Sequence, residues 1–280
     1  MDAIRKILGT TNFAQSRGDK LGVATFLIGG LFTIWYEVWH IMPTYELSQS
    51  FVTFNCVVAV WCYASVLTNW LKLISTRVYP FYVELESKRE ADWRYCQRCF
   101  MFCPPRSHHC KVCNVCVLKR DHHCWFAGCC IGYHNHRYYL VMVGYMCFAA
   151  LYCNIFNIAF LCDVFRDFGV LSAVFSILMP HGAALLGLLS FYQFCVCVVT
   201  FVGLLCLVMF SWLLQIQAAQ IYSGQTKHER KSKMFDYDSG LMDNIRDVFG
   251  PNMVLTFLSA FFRSPVLGDG VKFFSTAKNQ

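Results

Sequence analysis

Charge is what this chain has least of. Only 15% of its 280 residues are Asp, Glu, Lys or Arg, while 56% are hydrophobic, and the mean hydropathy is +0.42. Soluble domains carry nearer a quarter of charged residues. The shortage excludes a free-standing soluble domain and points to an integral membrane protein. The first 20 residues contain no apolar core followed by a small-residue cleavage site. No cleavable signal peptide is therefore expected, and the first span is read as a signal anchor. No internal repeat and no low-complexity tract is evident, which sets repeat architectures aside. Lys and Arg are nearly missing after Arg137, with Arg166 alone before Lys227.

What is present is long and apolar. Four stretches can cross a bilayer, which takes roughly 20 helical residues: Leu21–Met42, Ser50–Ile74, Tyr138–Cys162 and Tyr192–Gln215. Trp35, Tyr36 and Trp39 near one end of the first, and Trp212 late in the fourth, suit an aromatic belt. Residues 169–190 are also nearly uncharged, but Pro180-His181-Gly182 interrupts them, and Pro and Gly break helices. The basic residues decide the count. Four precede or open the first span, eleven lie between Lys72 and Arg137, and eight follow residue 226. If the basic side is cytoplasmic, the N-terminus, central loop and tail share it, and the number of crossings is even.

The expected fold is an all-α membrane protein with four transmembrane helices and a cytosolic zinc-binding cysteine-rich domain between helices 2 and 3. Its parts are a cytosolic N-terminus over 1–20, spans within 21–74, the cytosolic domain over 75–137, and spans within 138–215. A re-entrant or lumen-side hairpin is expected at 169–190, and a cytosolic tail over 216–280. In that tail Met253–Phe262 is apolar but too short to span and reads as an interfacial helix. The +7 net charge is read as this topology signal plus attraction to anionic lipid, and no nucleic-acid partner is expected. Glu37, near Pro43, reads as an interfacially solvated acid. Gly29-Gly30 reads as a close helix contact, and His134 and His136 as surface histidines.

Nine of the seventeen cysteines fall within residues 96–130. Few aliphatic residues lie between Glu84 and Arg137, so this loop lacks the means to build a core. In a reducing cytosol, clustered cysteines indicate metal or catalysis rather than disulfides. The order is Cys96-x2-Cys99, His109-Cys110-x2-Cys113-x2-Cys116, His123 and Cys130. These eight ligands suffice for two tetrahedral Cys3His zinc sites, each supplying folding free energy on the order of 10 kcal/mol. Six cysteines are then used, leaving Cys103, Cys124 and Cys129. Cys124 alone has a histidine two residues before it and an aspartate three before. An imidazole can take the proton of a thiol, whose unperturbed pKa is about 8.5, and a carboxylate can orient the imidazole. Spacing alone leaves open that Cys124 is a ligand and another cysteine is spare. A membrane-anchored RING-like module also mixes Cys and His pairs, but the further Cys-x2-Cys that would end it is missing after Cys116.

Together these residues resemble the DHHC cysteine-rich-domain protein S-acyltransferases, or palmitoyltransferases. The family pattern CxxC, RxxHCxxCxxCxxxxDHHC, then Cys, Gly and Asn, is matched without a gap. The match runs from Cys96 and Cys99 through Arg106, His109, Cys110, Cys113, Cys116 and Asp121-His122-His123-Cys124 to Cys130, Gly132 and Asn135. The resemblance implies that Cys96, Cys99, His109 and Cys116 hold one structural zinc, and Cys110, Cys113, His123 and Cys130 the other. It implies Cys124 as the acyl-accepting nucleophile, His122 as its base and Asp121 as the orienting carboxylate. Thr226 and Glu229 carry a likeness to the family's Thr-Thr-x-Glu motif, and Asn244 one to its C-terminal Asn-containing motif.

The implied reaction moves a long-chain acyl group such as palmitoyl from acyl-coenzyme A to Cys124. From there it passes to cysteine thiols of membrane or membrane-associated proteins, on the cytosolic face of an endoplasmic reticulum or Golgi membrane. Arg106, Lys119, Arg120 and Arg137 are candidate contacts for the coenzyme's phosphates. There are departures. Trp125-Phe126 stand where the family usually has Pro-Trp, Cys129 where it has Asn, and Cys103 where it has a basic residue. They remove no ligand and no catalytic group, and they mark a divergent member. An inactive zinc-bearing scaffold is the reading they leave open.

Overall fold

The computed structural model describes residues 13–45, 48–79, 89–266 and 268–273. Residues 1–12 of the expected cytosolic N-terminus, and the start of the loop around Glu84, lie outside them. Among the described residues four helical segments are long and apolar enough to cross a membrane. Helix α1 runs over Arg17–Trp35 and continues through a π-helical turn, Tyr36–Ile41, and a 3-10 turn, Met42–Thr44. Helix α2 covers Gln49–Ser75 and α3 His136–Val164. Two short helices follow, α4 (Val170–Leu178) and α5 (Pro180–Leu185), and then α6 (Phe191–Tyr222). The shortest long segment has 27 residues. At 1.5 Å per residue that is about 40 Å, more than the ~30 Å hydrocarbon layer. Polar residues therefore sit on the protruding ends, and α6 carries Gln217 and Gln220 past its apolar run.

The chain forms two compact units. One comprises Leu31–Tyr63 and Val143–Leu214, with Tyr36, Ile41, Phe160, Phe165 and Val196 in its core. Here Glu37 departs from the expected solvated position. It is 6% exposed, and its carboxylate accepts a hydrogen bond of 2.8 Å from Asn157 Nδ2. A buried carboxyl needs such a partner. The 169–190 segment breaks at Met179-Pro180, and neither α4 nor α5, of nine and six residues, is long enough to span.

The other unit comprises Met1–Gly30, Ala64–Met142 and Gln215–Gln280. Its loop departs from the all-α expectation. Six three-residue strands form three antiparallel hairpins: β1 (Arg94–Cys96) with β2 (Met101–Cys103), β3 (His108–Cys110) with β4 (Val115–Val117), and β5 (His122–Cys124) with β6 (Cys129–Ile131). Strands this short carry too little alternation to read as strands, and their Cys and His residues hide what remains. Apolar packing is confined to small groups such as Val78 with Val117, and Trp93 with Leu118 and Tyr133. The tail adds α7 (Lys227–Lys231), α8 (Leu241–Phe249) and α9 (Met253–Leu258). On and beyond α9, Val254, Leu258 and Phe261 are exposed, as an interfacial helix requires. The expected glycine contact also moves. A side chain at Gly29 would meet open space, whereas one at Gly22 would strike the Trp125 ring at 2.5 Å.

Candidate active site and metal centres

The three hairpins are copies of one unit at a spacing of 14 residues, which corrects the expectation of no internal repeat: His108-His109-Cys110 recurs as His122-His123-Cys124, and Cys96-x2-Cys99 as Cys110-x2-Cys113. Cys96, Cys110 and Cys124 each end a first strand. Phe100, Asn114 and Gly128 each take a positive φ, of 53°, 54° and 73°, before the second strand begins. Left-handed backbone is rare outside glycine, so its recurrence at one position marks a shared turn. At Gly128 a side chain would in addition meet the Phe13 ring at 2.9 Å. The mid-strand partners are Tyr95 with Phe102, His109 with Cys116, and His123 with Cys130.

This register explains the metal-ligand groups. The ligand atoms of Cys96, Cys99, His109 and Cys116 lie within 4.8 Å of one another, as do those of Cys110, Cys113, His123 and Cys130. Each quartet takes the turn cysteines of one hairpin and the mid-strand pair of the next. Within the first, Cys99 Sγ is 3.2 Å from His109 Nδ1 and 3.6 Å from Cys116 Sγ. Within the second, Cys113 Sγ is 3.3 Å from His123 Nδ1 and 3.7 Å from Cys130 Sγ. Zn–S bonds of ~2.3 Å and Zn–N bonds of ~2.0 Å put tetrahedral ligands about 3.5–3.8 Å apart. Donor set and spacing therefore fit one zinc ion in each quartet.

Cys124 belongs to neither. It occupies the turn position of Cys96 and Cys110, but Ala127 stands where Cys99 and Cys113 stand, and no fourth hairpin follows because α3 begins at His136. The Cys124 thiol is pushed up to about 12 by burial, against the pull of hydrogen bonds from the Ala127 and Phe126 backbone N–H groups. The same amide cradle, from Cys99 and Arg98, faces Cys96. Burial, with the neighbouring Cys124, also pushes up the thiol of Cys129.

Alternation along β5 places His122 on the face of Cys124 and His123 on the other. His122 Nδ1 lies 2.8 Å from Asp121 Oδ2. Asp121 is itself enclosed, accepting from Gln217 Nε2 at 2.8 Å, Gln220 Nε2 at 2.9 Å and the Lys227 backbone N–H at 2.7 Å. Burial opposes its charge, but the hydrogen bond and charge of His122 outweigh burial, and the carboxyl is held below the usual carboxylate range. With the Nδ1 proton directed to Asp121, His122 Nε2 is the free acceptor.

The remaining motif residues are structural ties. Thr226 caps α7 in a reciprocal box with Glu229, and Glu229 receives both arms of Arg106, at 2.8 Å to Oε1 and 2.6 Å to Oε2. Asn244 binds the Tyr222 carbonyl and Asp238, and thereby fastens the end of α6. Asn135 donates to the carbonyls of Leu73 and Cys130. The expected phosphate contacts are otherwise engaged. Arg106 and Lys119 are buried, Arg120 lies against the Cys110 and Cys130 sulfurs, and Arg137 bonds the Ser264 carbonyl. His136, expected on the surface, is buried with Nε2 2.6 Å from Gln217 Oε1. Gln217, Gln220 and Asp19 were missed, because nothing local in the sequence marks a glutamine or aspartate as the partner of a residue about 100 positions away.

The comparisons agree with this geometry. The family described as DHHC palmitoyltransferase matches residues 89–234, just over half of the chain. Among curated proteins, the chain is 34% identical over 185 residues to a probable palmitoyltransferase ZDHHC24 of Danio rerio, covering 66% of this chain and 63% of the relative. It is 32% identical to a ZDHHC24 protein of Homo sapiens, also described as a probable palmitoyltransferase, over 66% of this chain and 65% of that one. A probable protein S-acyltransferase 16 of Arabidopsis thaliana is 33% identical over 67% of this chain and 64% of its own length. The matched region thus spans just under two thirds of each relative. On the family match, and with four candidate spans and two Cys/His quartets around an unligated cysteine, the chain belongs to the DHHC palmitoyltransferase family.

Proposed function

We propose that the chain is a protein S-acyltransferase that moves a long-chain acyl group from acyl-coenzyme A to Cys124 and on to cysteine thiols of membrane-associated proteins. The observation that carries this reading is the Asp121–His122 pair, with His122 two residues along the same strand from a cysteine that neither quartet uses. A thiol pushed up to about 12 is protonated at neutral pH, so attack needs a base in place. His122 Nε2 accepts the Cys124 proton as the sulfur attacks the thioester carbonyl, and Asp121 stabilises the imidazolium that forms. The Ala127 and Phe126 amides stabilise the developing thiolate. Coenzyme A leaves as its thiol and takes a proton from His122. A protein thiol then repeats the exchange, with Cys124 as the leaving group. One thioester replaces another each time, so the residues supply orientation and proton handling rather than driving force.

Zinc, when bound by the quartets, would be structural in this scheme, with the eight Cys and His ligands linking the hairpins and His123 and Cys130 holding the backbone on either side of Cys124. The acyl donor and protein acceptors meet at the basic, cytosolic side, with the endoplasmic reticulum or Golgi as the expected membrane. The test is labelling of purified protein with palmitoyl-coenzyme A, with zinc counted in parallel. Wild type is expected to form a hydroxylamine-sensitive adduct and Cys124→Ser none. An adduct of undiminished size on Cys124→Ser, or a zinc-loaded wild type that never labels, overturns the reading.

A further inference from the structure

Cys124 does not face its hairpin partner strand alone. In the β5–β6 register it is directly opposite Cys129, just as His123 is opposite Cys130. Because side chains alternate along strands, the His123–Cys130 pair facing the second quartet sends Cys124 and Cys129 to the other face together. His122 is on that face as well. Cys129 also borders a small, mainly apolar cleft with Phe13, Leu73 and Ile74, which the quartet ligands Cys113 and Cys130 line as well. At the corresponding turn-end position the other two hairpins carry Met101 and Val115. A second thiol opposite the first is thus peculiar to the third hairpin.

We propose that Cys129 is a second S-acylation site, loaded by transfer from Cys124 across the hairpin. The inference rests on the acyltransferase reading above. In the transfer, the Cys129 sulfur attacks the thioester carbonyl carried by Cys124. A carbon–sulfur bond to Cys129 forms and the one to Cys124 breaks. The proton of the Cys129 thiol passes through His122 to the departing Cys124 sulfur. No oxidant, reductant or further reactant enters. The emptied Cys124 then accepts a second acyl group from acyl-coenzyme A, and one chain carries two.

Geometry favours this over a disulfide between the same residues. Directly opposed residues of an antiparallel pair hold their Cβ atoms about 4.5–5.5 Å apart, whereas a disulfide draws them to about 3.8 Å. In acyl transfer the carbonyl carbon lies between the two sulfurs, so the strands need not close. Fixed opposition also makes the step intramolecular, where effective concentrations far exceed any attainable by free thiols.

The experiment is intact-protein mass spectrometry after incubation with palmitoyl-coenzyme A, with fragment-ion mapping and zinc content on each sample. Wild type is expected to gain one and then two hydroxylamine-sensitive palmitoyl increments, the second mapping to Cys129. Cys129→Ser and Cys129→Ala, each holding two zinc ions, are expected to stop at one. Cys124→Ser is expected to gain none, because Cys129 is loaded only through Cys124. A wild type that stops at one increment on Cys124 overturns the relay and leaves the acyltransferase reading standing. Two increments on Cys129→Ser, or direct loading of Cys129 in Cys124→Ser, also overturn the relay. A wild type that gains none overturns both. Fragment mapping on wild type decides the matter even if a Cys129 variant loses its zinc.

Discussion

The two Cys3His quartets are made from the same hairpin parts, yet their surroundings differ. In the quartet of Cys110, Cys113, His123 and Cys130, three ligands are buried, and His123 Nε2 lies 2.9 Å from the carboxylate of Asp19. Arg120 lies against two of its sulfurs, and Asn135 ties the Cys130 carbonyl to the end of α2. In the quartet of Cys96, Cys99, His109 and Cys116, only Cys116 is buried, and His109 Nε2 has no hydrogen-bond partner among the described residues. Outer partners of this kind orient a ligating histidine and raise its basicity. Their uneven distribution shows where rigidity is concentrated. Cys124 lies between two ligands of the supported quartet, and the other quartet lies one and two repeats away.

The largest effect follows from that asymmetry. Cys130→Ser is expected to lose its zinc and to lower acyl-enzyme formation at Cys124 by about 100-fold or more, since a displacement of 1 Å at a reacting group costs that much. Cys99→Ser is expected to lose one zinc yet keep labelling within about tenfold of wild type, or ~1.4 kcal/mol in barrier. Zinc content and initial labelling rates on both variants make the comparison. Equal losses would show that the quartets act as one cooperative unit, and the distinction drawn here would fall.

Next in size is the tie that holds the hairpins to the tail. Arg106 sits between β2 and β3, on the link between the two hairpins that supply the first quartet, and its ion pair with Glu229 is buried on both sides. Arg106→Met leaves Glu229 charged and unpaired, which costs about 3–5 kcal/mol. Arg106→Met with Glu229→Leu should recover much of it. The sign with pH is fixed. Burial raises the Glu229 pKa, but the Arg106 hydrogen bond and charge outweigh it and leave the folded value lowered. The stabilisation is therefore present above the unfolded value of about 4.3 and is lost as pH falls through the folded one. Unfolding in detergent at neutral pH should show the full gap between wild type and Arg106→Met, and the gap should close in acid.

Residue types and spacing made part of this legible before any coordinates. The four spans show because an apolar run of about 20 residues matches the thickness of a bilayer and exceeds what a soluble core usually buries in one helix. The eight ligands show because Cys-x2-Cys pairs with nearby His match the bite of a tetrahedral metal, while their division into two quartets came from the family resemblance and not from spacing. The hairpins did not show, although Cys96, Cys110 and Cys124 stand 14 apart. Besides that cysteine, the feature common to all three units is the left-handed turn at Phe100, Asn114 and Gly128, and a shared φ leaves no common side chain. Arg106 was read as a candidate phosphate contact because an arginine in a basic loop looks the same whether or not a glutamate 123 residues later meets it. His136 was misread for the same reason, its partner Gln217 lying on a different helix. The proposed nucleophile's freedom from metal was left open by spacing. The repeat supplies a reason for it, since Ala127 occupies the place of the second turn cysteine.

Asp19 offers the finest test of the difference between the quartets. One oxygen of its carboxylate faces His123 Nε2, and the other accepts from the Ser16 backbone N–H at 3.0 Å, while Ser16 Oγ accepts from the Asp19 N–H at 3.0 Å. The residue thus caps α1 and supports a metal ligand at once. Asp19→Asn keeps the shape and removes the charge that raises the basicity of His123. Loss of such an outer carboxylate lowers metal affinity by roughly 10–100-fold. Competition with a chelator should therefore resolve two phases, with only the one belonging to Cys110, Cys113, His123 and Cys130 accelerated. Ser16→Ala provides the control: it weakens the cap by about 1 kcal/mol while leaving the carboxylate opposite His123, so it should lower helix stability without separating the phases further. If Asp19→Asn moves both phases alike, Asp19 acts through general stability. If it moves neither, the carboxylate behind His123 contributes nothing to holding the metal, and the supported quartet owes its advantage to burial alone.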